Sequence, residues 1–114
     1  MSPTHLSTIH RIMELVCARR HVTIADIEGP SHAPQVVLAR YMAVALARHF
    51  TPLSDHELGL VFNRCTGGIG KALRTYRSWR DIYNDREREW KDLVETMLAN
   101  AAPEHQRPDY QRCG

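Results

Sequence analysis

The sequence predicts an all-α fold, a small helical domain of about six helices organised around a helix-turn-helix, and three observations carry that expectation. From Gln35 to Phe50 nearly every residue is apolar or small, the pattern of a helix buried on most of its sides. Leu53 and Ser54-Asp55-His56-Glu57-Leu58 supply a capping box (Ser54 with Glu57) and an apolar staple (Leu53 with Leu58), which mark a helix start. After Asn63-Arg64-Cys65, the run Thr66-Gly67-Gly68 opens another helix, with Thr66 as its expected N-cap and Ile69, Leu73 and Tyr76 as its apolar stripe. Two short helices about a tight turn, the second aimed outward, commonly enter a DNA major groove. The same pattern also describes an ordinary helical hairpin.

In chain order, Met1 to Pro3 are expected to be loose. Ile9, Ile12, Met13 and Val16 then repeat at helical spacing in a first helix ending near Arg19-Arg20. Thr23-Ile24-Ala25-Asp26 starts a short second helix that Gly29-Pro30 stops, leaving Glu28 to Pro34 as an exposed linker. The third helix, Gln35 to Phe50, is the central post. The fourth carries Leu58, Val61 and Phe62 on one face, and the fifth follows the glycines, with Trp79 or Tyr83 extending its stripe. A mixed-charge run from Asp85 to Asp92, including the pair Glu87 and Lys91, leads into Trp90, Val94, Met97 and Leu98 on one face of a sixth helix. That helix either packs on the domain or offers its face to a partner, and packing is favoured in so small a chain. Residues 1–102 are thus expected to form one domain, and 103–114, with Pro103, Pro108 and mostly polar residues, a flexible tail.

Composition bounds the function. A chain of 114 residues with 43% hydrophobic and 25% charged residues is an ordinary globular domain. Its net charge of +2 does not by itself argue for nucleic acid, so the placement of charges must decide. Cys17, Cys65 and Cys113 lie far apart without metal or disulfide spacing, which points to a reducing compartment. No leader-like opening or membrane-length apolar run is visible, so no membrane association and a cytoplasmic location, on the nucleoid if DNA is bound, are expected. Gly67-Gly68-Ile69-Gly70-Lys71-Ala72 fails as a nucleotide-binding loop because Cys65 replaces the first glycine and Ala72 the Ser or Thr. With neither metal-ligand spacing nor a nucleophile arrangement, no enzyme activity, metal or cofactor is expected.

The candidate binding residues are basic. Arg40 and Arg48 interrupt the third helix about 12 Å and 80° apart, so both can emerge on one side to reach two phosphates, or each can snorkel or pair with a carboxylate. Lys71, Arg74 and Arg77, with Arg80 a turn on, form a ridge on the fifth helix that is either a DNA-binding or a solvated face. Up to three glycines in its first turns cost about 1 kcal/mol each relative to alanine. The gain they serve is close approach of a phosphate to the helix-start amides, unless the helix begins nearer Lys71.

The segment Leu38 to Arg48, followed by Glu57-Leu58-Gly59 and Val61-Phe62, resembles the C-terminal duplex-binding domain of the bacterial replication initiator DnaA, over a span from about Ile9 onward. The resemblance implies an all-helical domain with a helix-turn-helix of the TrpR-like class that binds duplex DNA at initiator sites, with Arg40 and Arg48 at DNA-touching positions. Where the family has Gly-Gly-Arg-Asp-His-Thr-Thr-Val after the Phe, this chain, one residue shorter, has Asn63-Arg64-Cys65-Thr66-Gly67-Gly68-Ile69. Only Arg64 and the apolar Ile69 carry over. The family's basic loop is replaced by Glu28 to Pro34, with His32 in place of its minor-groove arginine. Loss of two or three base-reading side chains, at about 1–3 kcal/mol of discrimination each, would remove most preference for the family's usual site. The family's nucleotide-binding motor is absent from this sequence, so a stand-alone relative is expected.

Two readings follow. In one, the partner is double-stranded DNA: Arg40, Arg48, Arg64, Lys71 and the amides near Thr66 to Gly68 hold phosphates, Arg74 and His32 also belong to the DNA-binding surface, and Thr66 and Lys71 reach base edges. In the other, the domain engages a protein, the replication initiator or one of its regulators, without reading DNA sequence. Both place it in the regulation of replication initiation.

Overall fold

The computed structural model describes residues 2–101 as six helices: α1 (Pro3–Arg20), α2 (Ile24–Glu28), α3 (Pro34–Phe50), α4 (Asp55–Phe62), α5 (Thr66–Ile82) and α6 (Asn84–Ala101). No strand occurs among the described residues. The tail assigned to 103–114 lies outside them.

α1 begins earlier than its apolar repeat suggests. Ser2 caps it by accepting from Thr4 N at 3.1 Å, and Pro3 fills the first turn, where the missing N–H costs nothing. His21 ends it in the left-handed region at φ 59°. The sequence-predicted capping box of Ser54 with Glu57 forms at α4, and the expected α2 start at Thr23 also closes a capping box with Asp26. The staple residues Leu53 and Leu58 are both buried.

α3 is the central post, burying Leu38, Ala39, Met42, Ala43, Val44, Leu46 and Ala47. Against it pack Ile9, Ile12, Met13 and Val16 of α1, Ile27 of α2, Phe62 of α4, and Ile69, Ala72 and Tyr76 of α5. At about 25 cal/mol per Å² of apolar surface removed from water, this contiguous cluster is the main source of stability.

α6 packs on the domain. Leu93 and Met97 are buried, and ion pairs join Arg19 to Asp92 and Arg20 to Glu89. Of its expected face, Met97 is buried and Trp90 and Val94 pack against the core, whereas Leu98 is 55% exposed and Leu93 takes a core position in its stead. Tyr83, offered as a stripe residue of α5, is likewise largely exposed because it ends that helix in extended backbone.

Candidate nucleic-acid interface

The turn between α4 and α5 is built by three residues. Asn63 closes α4 in the left-handed region (φ 58°, ψ 48°), which asparagine tolerates better than most residues. Arg64 N then donates to Gly59 O at 2.8 Å. Gly59 permits that approach, because a Cβ there would stand 2.4 Å from the Arg64 carbonyl oxygen.

The N-cap of α5 is Cys65, one residue before the expected Thr66; its Sγ accepts from Gly68 N at 3.3 Å. Extended backbone at Cys65 (φ −75°, ψ 161°) places the helix start there, so Thr66 becomes the first helical residue. The glycines therefore lie inside the helix and not in a longer loop. Thr66 and Gly67 are exposed, and a side chain added at Gly67 would meet nothing within 4 Å. The first amides of a helix have no intrahelical acceptor and carry its positive dipole end. This open turn can therefore receive an anion at close range.

The expected arginines divide sharply. Arg40 is only 4% exposed. Its Nε donates to Ile27 O (2.7 Å), Nη1 to Ser31 O (3.1 Å), and Nη2 to Asp26 O (2.9 Å) and Gly29 O (3.0 Å). Burial, and then the neighbouring Arg64 guanidinium, pull its pKa below the ordinary arginine value. The expectation that Arg40 emerges to grip a phosphate is corrected: a guanidinium can satisfy the orphan carbonyls at the end of α2, and it does so here. The linker from Glu28 to Pro34 is correspondingly pinned from below.

Arg64 points the same way, donating to Glu28 O (3.4 Å), Asn63 O (2.8 Å) and Gly29 O. Arg48 pairs with Asp55 at the start of α4, so the pairing alternative describes it. Asp55 and Arg74 both reach over Gly70, where an added Cβ would sit 3.2 Å from Arg74 Nη1 and 3.8 Å from Asp55 Oδ2. Lys71 and Arg74 are exposed on α5, and neither forms an ion pair among the described residues.

A cleft of about 240 Å³ runs between the α2–α3 linker, α3 and the first turns of α5. His32, Arg40, Tyr41, Arg64, Gly68 and Lys71 are on its walls. Thus His32, Arg64 and Lys71 come together beside Thr66 and Gly67, Arg74 follows one turn along α5, and Arg48 lies elsewhere. Tyr41, stacked on Trp79 with ring centroids 5.6 Å apart, lines the same cleft and was not singled out from sequence. The cue was its position next to Arg40 on the α3 face that carries Val37 and Val44.

The helix-turn-helix of the bacterial dnaA protein family matches residues 9–74. The chain belongs to that family. Every candidate residue from His32 to Arg74 lies inside the matched segment, whereas α6 lies outside it. The chromosomal replication initiator protein DnaA of Borreliella burgdorferi, from strains B31 and ZS7, is 32% identical over 88 residues. That alignment covers 75% of this chain and 17% of the relative, so the chain corresponds to a small part of the DnaA proteins it matches. Among the described residues, no helix is long and apolar enough to cross a membrane.

Proposed function

We propose that this DnaA-family domain binds duplex DNA through the start of α5, as part of the control of replication initiation in the bacterial cytoplasm, on the nucleoid. The observation that carries the reading is the unobstructed first turn of α5 at Thr66 and Gly67 beside a cleft walled by His32, Arg64 and Lys71. Backbone amides and Lys71 hold phosphates, Thr66 and Lys71 reach base edges, and Arg74 adds charge one turn on. Arg40 and Arg64 shape the linker that presents His32. No cofactor or chemical step is required.

The test is fluorescence anisotropy with an initiator-site duplex and a scrambled duplex, each at two salt concentrations. Binding should weaken steeply with salt, and Lys71→Ala should lower the log–log salt slope by about 1. Equal affinity for the two duplexes means a phosphate grip without base reading. Salt-independent binding, or an affinity indifferent to Lys71→Ala, overturns the reading.

A second reading draws on the fate of the arginines. Arg40, Arg48 and Arg64 are engaged within the protein, which favours a domain that kept the fold while meeting a protein, the initiator or a regulator of it. Co-purification with the initiator in the absence of any DNA binding would support this alternative.

A further inference from the structure

On the other flank of α5 lies a second cationic cavity, of about 330 Å³. It is bounded by the C-terminal half of α3, the middle of α5 and one ring of α6, and Arg48, His49, Tyr76, Arg77, Arg80 and Trp90 form its polar and aromatic walls. Four of these are basic, and no carboxylate lines it; Asp55 pairs with Arg48. Among the described residues neither Arg77 nor Arg80 forms an ion pair.

Two wall residues hold polar atoms without partners. Tyr76 Oη and Arg80 Nε are buried and make no hydrogen bond. Buried polar groups are nearly always paired, so such atoms call for an explanation. Burial pushes the Tyr76 hydroxyl up to about 12, so it remains a proton donor at neutral pH.

The aromatic surfaces are already engaged. The Arg80 guanidinium sits 4.4 Å from the Trp90 ring centroid, and the His49 ring meets Trp90 edge-on at 5.5 Å. The cavity thus offers donors and positive charge, and not an open face on which a base could stack. That donor set suits a tetrahedral oxyanion.

Lys71, Arg74 and Arg77 are three residues apart, so Lys71 and Arg77 differ by roughly 120° around α5 and about 9 Å along it. Arg74 stands between them, with the His32 cleft on one side and this cavity on the other. We propose that the cavity walled by Arg77, Arg80, His49 and Tyr76 is a phosphate-binding site. Its phosphate is either a backbone diester of the duplex or the phosphate of a small molecule, and only the first source rests on the duplex-binding reading.

The experiment titrates the full chain with inorganic phosphate at constant ionic strength, following arginine Nε–Hε and tryptophan indole NMR signals. The Arg80 Nε–Hε and Trp90 indole signals should shift saturably, while the Trp79 indole, outside the cavity, stays in place. Arg77→Gln, at an exposed position, should weaken that response roughly tenfold, as expected for loss of a charge-assisted contact. Arg80→Lys serves as a second variant that keeps the charge, with circular dichroism confirming the fold of each. Absence of a saturable shift in the wild type, or an Arg77→Gln response equal to wild type, overturns the site.

Anisotropy with duplex DNA then assigns the source. A tenfold loss of duplex affinity in Arg77→Gln assigns the backbone, whereas unchanged duplex affinity in that variant, alongside its weakened response to inorganic phosphate, assigns a small-molecule phosphate. If no duplex binds at all while inorganic phosphate still does, the duplex reading falls and this site stands.

Discussion

Arg40 of α3 and Arg64 of the α4–α5 turn donate to the same acceptor, the carbonyl oxygen of Gly29. Two cations therefore converge on the end of α2, where the last helical carbonyls lack intrahelical donors. Their convergence links the linker that carries His32 to the turn that opens α5. The relative placement of the two sides of the cleft is consequently set by buried and partly buried hydrogen bonds, and not by surface charge.

Arg40→Ala should therefore act on stability first. Removing a buried cation that satisfies four carbonyls is expected to cost about 2–4 kcal/mol, given the strength of hydrogen bonds to charged groups. Urea denaturation measures it. Arg40→Lys should recover little, because one ammonium cannot span acceptors contributed by Asp26, Ile27, Gly29 and Ser31. A variant of wild-type stability that had lost only DNA affinity would return Arg40 to the phosphate-contact role.

Two glycines on either side of the turn should respond oppositely to alanine. At Gly59 the new Cβ would press on the Arg64 carbonyl at 2.4 Å, and backbone cannot swing aside as a side-chain tip can. Overpacking of this kind costs about 1–3 kcal/mol, seen as a lowered urea midpoint. At Gly67 the methyl meets open space, so Gly67→Ala should gain up to about 1 kcal/mol from reduced backbone freedom. Duplex affinity should fall in the same variant, because the methyl obstructs the amides. Unchanged affinity would remove the first turn of α5 from the interface.

The thiol that caps α5 is a weak acceptor for the Gly68 amide. Cys65→Ser replaces it with a preferred N-cap oxygen and should raise stability by about 0.5–1 kcal/mol, read by thermal or urea unfolding. Equal or lower stability would show that the sulfur packs at this position more than it caps.

Most of the fold was legible because its signals are local. The capping boxes at Thr23 and Ser54, and the apolar run of α3, each identify an element within a few residues. The interface was only partly legible. A basic residue in a helix looks the same in sequence whether its guanidinium meets solvent or folds back onto a carbonyl. Arg40 donates to residues 9 to 14 positions away in the chain, and Arg64 to residues about 35 away, separations that helical periodicity does not encode. Lys71 and Arg74, by contrast, lie opposite an apolar stripe on one helix, and their exposure follows from that helix alone. The register of α6 was ambiguous for a related reason: Leu93, Val94, Met97 and Leu98 fit two neighbouring stripes, and the pairs of Arg19 with Asp92 and Arg20 with Glu89 accompany the one observed.

The capping box of α4 should also impose a pH dependence on stability. Glu57 accepts from Ser54 N at 3.0 Å while Ser54 Oγ accepts from Glu57 N at 3.1 Å. The backbone hydrogen bond from Ser54, followed by its side-chain bond, holds the Glu57 carboxyl below its ordinary value of 4.5. A depressed folded-state value means that the unfolded chain takes up the proton first as pH falls. The contribution is therefore complete above 4.5 and is lost as pH drops through the lower, folded value. Glu57→Gln keeps an acceptor but no titrating charge. The stability difference between wild type and Glu57→Gln, followed by urea midpoints from about pH 6 to about pH 3, should shrink toward the acid end. A difference that stays constant across that range would mean that the Glu57 charge contributes nothing to the start of α4.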